Sequence, residues 1–260
     1  MEPIIQIKNL TKYYGSHSGA KPVLKNISID IEPSQVIGYI GPNGAGKSTT
    51  VKILAGLLSD FTGDVLIKGI DIRKDPLAVK SLIGFVPELA ELYDALTPNE
   101  FLSLMGALYN LPEKAAAERA DRMLDAFGLS GHANQRMDTF SKGMKQKVLI
   151  ISGILHNPEI LILDEPLSGL DANSVIIVKE LIDKLAKNGK TIFYCSHMMD
   201  VVEKVSSRII LIDKGEVAAD GNIDELRQLQ NKESLEDIFS GLTATESMYE
   251  ASTKLLNAFD

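Results

Sequence analysis

Gln35 to Thr50 reads QVIGYIGPNGAGKSTT: an apolar run, a glycine-rich turn, then lysine, serine and two threonines. The order is strand, glycine turn, helix start. Within it GPNGAGKS fits G-x-x-x-x-G-K-[ST] at Gly41, Gly46, Lys47 and Ser48, in the context that this motif requires. Glycines let the backbone turn sharply and aim successive N–H groups inward, and the helix start adds positive potential. Lys47 reaches terminal phosphates, and the Ser48 hydroxyl ligates Mg2+. Pro42, Asn43, Gly44, Ala45 and Thr49 complete the cradle.

The bulk properties set the frame. The chain has 260 residues, 45% hydrophobic and 24% charged, enough for one large domain or a domain with a subdomain. No apolar run approaches the ~18 to 20 residues of a membrane span. The opening MEPIIQIKNL has an acid and a proline where a secretory leader is basic and then apolar, which points to the cytoplasm. A single cysteine, Cys195, excludes an internal disulfide; in TIFYCSH it reads as a small apolar residue on a buried strand. The net charge of -8 argues against broad nucleic-acid binding, which needs a positive surface.

Around the glycine turn, strand-like alternation appears in IIQIKNL and at Ile27, Ile29 and Ile31, and the helix after Lys47 is expected to run to about Leu58. Thr97 to Pro158 turns helical: TPNE supplies an N-cap, a proline at the first helical position and a capping-box Glu100. Gly128 is placed to end the helix in PEKAAAERADRMLDAF. Strands then alternate with helices: EILILD, a helix capped by Asp171 with Val178, Leu181, Ile182 and Leu185 on one stripe, TIFYCS, a short helix from Met198, and RIILID. Such alternation means a mostly parallel sheet. DKGE at 213 to 216 reads as a turn, and the last 40 or so residues read as short helices.

LILDEPLSGLD, Leu161 to Asp171, ends an apolar run on two carboxylates. An unpaired acid beside an apolar core costs several kcal/mol, so the site must hold a compensating cation or polarised water. Successive strand residues point to opposite sides, so the two acids need not share a task. Asp164 faces the metal held by Ser48, through water, since Mg2+ keeps much of its hydration. Glu165, just past the strand and fixed by Pro166, is the candidate general base for water attacking a γ-phosphorus.

Downstream, FSKGMKQK at 140 to 147 puts Ser141 and Gly143 at a helix start, SGLD ends at Asp171, and YCSHMM leaves His197 just past a strand. With the phosphate loop, this ordered set resembles the nucleotide-binding subunit of an ATP-binding cassette (ABC) transporter over roughly residues 4 to 220. The resemblance implies an α/β fold: a P-loop NTPase core with a mostly parallel sheet, an N-terminal antiparallel β subdomain and an inserted α-helical subdomain at about 88 to 157. The ABC domain then spans 1 to 220, with a helical tail at 221 to 260. It also implies two half-sites closed head to tail around two ATP molecules with Mg2+. Ser141 and Gly143 complete the site of the opposite subunit, Asp171 crosses between sites, and His197 contacts the γ-phosphate and holds Glu165 and the water in line. Tyr14 in TKYYG is expected to stack on adenine, with Tyr13 as its rival.

Two departures from the family pattern stand out. The signature is commonly Leu-Ser-Gly-Gly-Gln, whereas here it is Phe140, Ser141, Lys142, Gly143 and Met144. Lys142 either adds positive charge near a phosphate or projects into solvent, and Met144 loses an amide hydrogen bond. In GFVPELAELYD the usual glutamine is Glu88, assigned with Ser48 and Asp164 to the metal and to the loop that contacts the membrane partner. VPELAELYDALTPNEFL, SKGMKQK and ESLEDIFSGLT resemble the branch serving exporters of drugs, antibiotics or polysaccharides. The stripe Phe101, Leu104, Met105 and Leu108 reads as subdomain core, part of which could pack on the membrane subunit. His17, His132 and His156 have no companions at metal-ligand spacing.

The resulting expectation is an ATP hydrolase on the cytoplasmic side of the cell membrane, acting through Lys47, Glu165 and His197. It is peripheral, paired with a second nucleotide-binding subunit, identical or related, and bound to separate transmembrane permease subunits. No nucleic acid is expected. The rivals are a soluble cassette ATPase acting on ribosomes or DNA, whose relatives usually carry paired cassettes, coiled-coil arms or zinc insertions, and a P-loop kinase or non-hydrolysing regulator.

Overall fold

A computed structural model describes residues 2–15, 21–89, 92–230, 232 and 234–243. In chain order, β1 (Ile5–Lys12), β2 (Leu24–Ile31) and β3 (Val36–Ile40) precede α1 (Lys47–Leu54). Then come β4 (Thr62–Ile67), β5 (Ile70–Asp71), α2 (Pro76–Leu82) and β6 (Ile83–Val86). The helices α3 (Pro98–Leu108), α4 (Glu113–Ala126) and α5 (Lys142–Ile154) follow, with two short 3-10 turns between α4 and α5. The last part alternates β7 (Ile160–Asp164), α6 (Ala172–Lys187), β8 (Thr191–Cys195), α7 (Met199–Val205), β9 (Arg208–Asp213) and β10 (Glu216–Gly221), and closes with α8 (Ile223–Gln230) and α9 (Leu235–Thr243).

The strands form two sheets. One is antiparallel, in the order β2-β1-β4-β5; the other runs β10-β9-β3-β8-β7-β6. In the second, every neighbouring pair is parallel except β10 with β9. Burial explains the difference. β3, β7 and β8 are buried at every position, as strands covered on both faces must be, while β1 alternates and the edge strand β10 is nowhere fully buried.

The period of two along the parallel strands sorts their side chains into two cores. Leu161, Leu163, Ile192, Tyr194, Ile209 and Leu211 pack with the helical side. Ile160, Ile162, Phe193, Cys195, Ile210 and Ile212 pack under the antiparallel sheet with Ile5, Ile7 and Val51 of β1 and α1. The parallel sheet is therefore the middle layer, and the loops leaving its carboxyl ends are free to build a site.

Local signals worked where they were short-range. Thr97 Oγ1 accepts from the Glu100 N–H at 3.2 Å while Glu100 Oε2 accepts from the Thr97 N–H at 2.8 Å, the reciprocal cap expected of TPNE. Gly128 follows α4 with φ +69. Lys214 and Gly215 make the turn between β9 and β10. The first helix, however, ends at Leu54 and not at Leu58, because Gly56 turns the chain at φ +67. Residues 59–82, unassigned from the sequence, supply β4, β5 and α2.

At the far end, Leu226 of α8 and Leu235 and Ile238 of α9 join the core that holds Val201 and Val202 of α7. Arg227 pairs with Glu203 at 2.5 Å, tying α8 to α7. The remainder of the expected tail, 244–260, and His17 lie outside the described residues.

Candidate functional site

The carboxyl ends of β3, β6, β7 and β8 lead directly into the phosphate loop, Glu88, the Asp164–Glu165 pair and His197. The loop closes onto α1 through Gly46, whose φ of +110 suits only a residue without a side chain; an added Cβ would sit 2.5 Å from Leu24 Cδ2. Lys47 donates from Nζ to the carbonyls of Gly41 at 2.7 Å and Pro42 at 3.2 Å, which holds its ammonium against the loop. Asn43, Gly44, Lys47, Ser48 and Thr49 line a depression of about 180 Å3.

Asp164 is 6% exposed. Burial holds its carboxyl above the ordinary aspartate range, and the charges of Glu88 and Glu165 push the same way, against a Cys195 hydrogen bond and the charge of Lys47. A buried acid that feels the charges of two other carboxylates is a poor arrangement by itself. Among the described residues no three carboxylate, histidine or cysteine side chains converge closely enough to hold a metal on their own, but Ser48, Asp164 and Glu88 carry the oxygen donors that Mg2+ takes alongside water and phosphate. The thiol of Cys195 is pushed up by burial and by Asp164, in keeping with a buried, unreactive cysteine.

Glu165 is held more tightly than its place after a strand suggests. Its φ is +48, a conformation that costs a non-glycine residue about 1–3 kcal/mol. Its N–H donates to the Cys195 carbonyl at 2.9 Å, and its own carbonyl accepts from the Ser168 N–H at 3.1 Å. Both carboxyl oxygens are engaged: Oε1 lies 2.9 Å from His197 Nδ1, and Oε2 accepts from the Ser196 hydroxyl at 2.9 Å. A carboxylate offers only lone pairs, so His197 carries its proton on Nδ1 toward Glu165. Ser196 is itself fixed, accepting from the Met198 N–H at 3.2 Å as α7 begins.

A second cluster forms where α5 meets the turn after Glu165. Ser141 caps α5 by accepting from the Met144 N–H at 3.2 Å. Gly143 lies against that turn so closely that a Cβ would stand 2.7 Å from the Gly169 carbonyl. Gln146, fully buried, donates from Nε2 to the Pro166 carbonyl at 3.1 Å. Lys147 pairs with Asp171 at 3.2 Å. Lys142 is exposed and donates to Ser168 Oγ at 3.0 Å. Asp171 caps α6 as expected, accepting from the Ser174 hydroxyl at 2.6 Å and the Ser174 N–H at 2.9 Å; these contacts and Lys147 hold its carboxyl well below the usual range. Among the described residues no hydrogen bond joins this cluster to residues 41–49, so one chain carries two separate groups of candidate residues.

Tyr14 reaches α1, its hydroxyl 3.3 Å from Thr49 Oγ1, with half its surface exposed. His132 pairs with Gln135 and His156 stacks on Tyr109, so both serve local structure. Ser196, Gln146 and Lys147 were not singled out from the sequence. Gln146 had a signal: it shares a stripe with Leu149, Ile150 and Gly153, all buried, where a polar residue needs a partner.

Comparison with known proteins bears on the family and the fold. A family model described as ABC transporter matches residues 24–168. The linearmycin resistance ATP-binding protein LnrL of Bacillus subtilis is 38% identical over 86% of this chain and 70% of its own. The ABC transporter ATP-binding protein NatA of the same organism is 35% identical over 91% of this chain and 96% of its own. Among solved structures, an ATP-binding subunit of an ABC transporter superposes with a TM-score of 0.86 at 30% identity, covering 93% of this chain and all of the other. A dimeric post-hydrolysis state of the ATP-binding cassette MJ0796, bound to ADP and Pi, gives 0.78 at 29% identity, over 84% and 98%.

Proposed function

The chain belongs to the ABC transporter family of ATP-binding proteins and is an ABC-type ATP hydrolase, and from that premise we propose that it is the motor subunit of an exporter. In this reading the amides of residues 41–49 and Lys47 hold the β- and γ-phosphates of ATP, and Tyr14 takes the adenine. Ser48 and Asp164, with Glu88 beside them, hold Mg2+, which neutralises phosphate charge when bound. Glu165 accepts the proton of the attacking water through a lone pair left free on its carboxylate. Ser196 and His197 hold that carboxylate in one orientation, and His197 Nε2 remains for the γ-phosphate.

Ser141, Gly143 and Asp171 serve the second nucleotide-binding subunit of a head-to-tail dimer. Their grouping apart from the phosphate loop supports this, as does the dimeric cassette among the structural neighbours. Half of the α3 stripe is core, with Phe101 buried and Met105 packed on it, whereas Leu104, Leu108 and nearby Tyr93 are exposed and offer an apolar face to a membrane subunit. No helix among the described residues is long and apolar enough to cross a membrane. In this reading the subunit sits peripherally on the cytoplasmic side, bound through its membrane partners. A relative named for resistance supports export.

The observation that carries the reading is the two-sided grip on Glu165 directly after Asp164. Glu165→Gln keeps ATP binding, slows phosphate release by at least about 100-fold, and accumulates an ATP-bound dimer seen by size-exclusion chromatography. Turnover at the normal rate removes Glu165 from its place.

A further inference from the structure

We propose that Lys12 is a positioning residue for the nucleobase platform: its ammonium supports one face of the Tyr14 ring and leaves the other for a purine. This rests on Tyr14 as the adenine platform. Lys12 ends β1 on the same inward side as Leu10, and only 5% of its side chain is exposed. Lysine is rarely buried so fully without a strong partner.

Its ion-pair partner does not account for that burial. Lys12 Nζ lies 3.0 Å from Asp60 Oδ2, but the Asp60 side chain is 97% exposed, and ion pairs with so solvated a member contribute little. The same Nζ stands 5.0 Å from the centroid of the Tyr14 ring, within the range in which an ammonium is attracted by the negative face of an aromatic ring.

The ring is also held at its edge, since the Tyr14 hydroxyl is 3.3 Å from Thr49 Oγ1 in the first turn of α1. An exposed tyrosine fixed at one face and at its hydroxyl has little rotamer freedom left to lose when a base arrives, so stacking costs less ordering. The cation also draws electron density from the ring toward its own side, which favours contact with an electron-rich purine on the other. The carbonyl of Lys12 accepts from the Val23 N–H at 2.7 Å, and Val23 borders the phosphate-loop depression, so the platform and the cradle are built on one piece of backbone.

The test compares ADP with inorganic pyrophosphate by titration calorimetry, because only ADP carries a base. Lys12→Met weakens ADP about three- to tenfold and pyrophosphate less than about twofold, while Lys12→Arg restores ADP affinity and Asp60→Asn leaves both ligands unchanged. Should Lys12→Met not fold, Lys12→Gln makes the same comparison with a polar neutral side chain. Equal effects on the two ligands, or none on ADP, overturn the role of Lys12. If Tyr14→Ala leaves ADP affinity intact, the platform reading itself fails; if Tyr14→Ala weakens ADP alone while the Lys12 variants do not, only the Lys12 proposal does.

Discussion

Ser196 donates its hydroxyl to Oε2 of Glu165 across 2.9 Å, on the carboxyl oxygen that His197 does not touch. Residue 196 is 1% exposed, so the hydroxyl has no solvent to lose it to. A hydrogen bond to a charged group is worth about 1.5–3 kcal/mol, and here it fixes the orientation of the proposed base. Ser196→Ala is therefore expected to lower kcat for ATP hydrolysis about tenfold or more, but less than Glu165→Gln, with KM changed less than twofold. Ser196→Thr should recover most of the rate. Steady-state phosphate release decides it: a raised KM with kcat intact would make Ser196 a binding group and not a positioning one.

What the sequence made legible was local. The phosphate loop, the Thr97–Glu100 cap and Asp171 as the cap of α6 all depend on residues within one or two turns of each other, and their chemistry shows in their spacing. The grip of Ser196 on Glu165 joins positions 31 apart, and that of Gln146 on Pro166 joins positions 20 apart. Such contacts depend on which strands lie side by side, here β7 and β8, an order that alternation alone does not specify. Residues 59–82 were silent for another reason: β4 and β5 are short and only partly buried, so they carry little periodicity.

Glu88 puts a third carboxylate near Asp164, where most of the family carries a neutral amide. A unit charge pair at ~4 Å is worth ~4 kcal/mol at an effective dielectric near 20, and less for a side chain as exposed as Glu88. In the proposed site the negative charge of Glu88 would favour bound Mg2+. Glu88→Gln should thus raise the Mg2+ concentration for half-maximal hydrolysis several-fold, up to about tenfold, without lowering the rate at saturating Mg2+. A Mg2+ titration identical to that of the parent would take Glu88 out of the metal set.

Gly143 and Lys142 both touch the turn after Glu165, yet substitutions there should differ in weight. A Cβ at 143 would stand 2.7 Å from the Gly169 carbonyl, and backbone cannot yield as a side chain can. Gly143→Ala should push α5 away from residues 168–171 and displace Ser141 and Asp171 together, cutting hydrolysis more than about tenfold while ADP binding to the phosphate loop stays unchanged. The Lys142–Ser168 bond is exposed, so Lys142→Met should stay within about twofold of the parent rate. If the two variants hydrolyse ATP equally fast, close packing at Gly143 is not what holds the second cluster together.

His156 lies flat on Tyr109, centroids 3.6 Å apart and planes 9° apart, and donates from Nε2 to the Ile83 carbonyl at 3.1 Å. Its Nδ1 is buried with no partner among the described residues. Burial holds the imidazole below its ordinary value of 6.5, the charge of Lys190 pushes the same way, and the bond to Ile83 only partly opposes them. Because the folded-state value is the lower one, the unfolded chain takes up this proton first as the pH falls. The stability tied to neutral His156 is therefore complete above about 6.5 and drains away as the pH drops below it. His156→Phe keeps a ring against Tyr109 but cannot titrate. At pH 7.5 it should be less stable than the parent by about 1 kcal/mol, for the bond lost at Ile83. The gap should narrow by pH 5.5 as the parent alone loses the contribution of residue 156. Urea unfolding at the two pH values measures both differences, and a gap that stays constant would mean that His156 is not what makes this end of the sheet sensitive to acid.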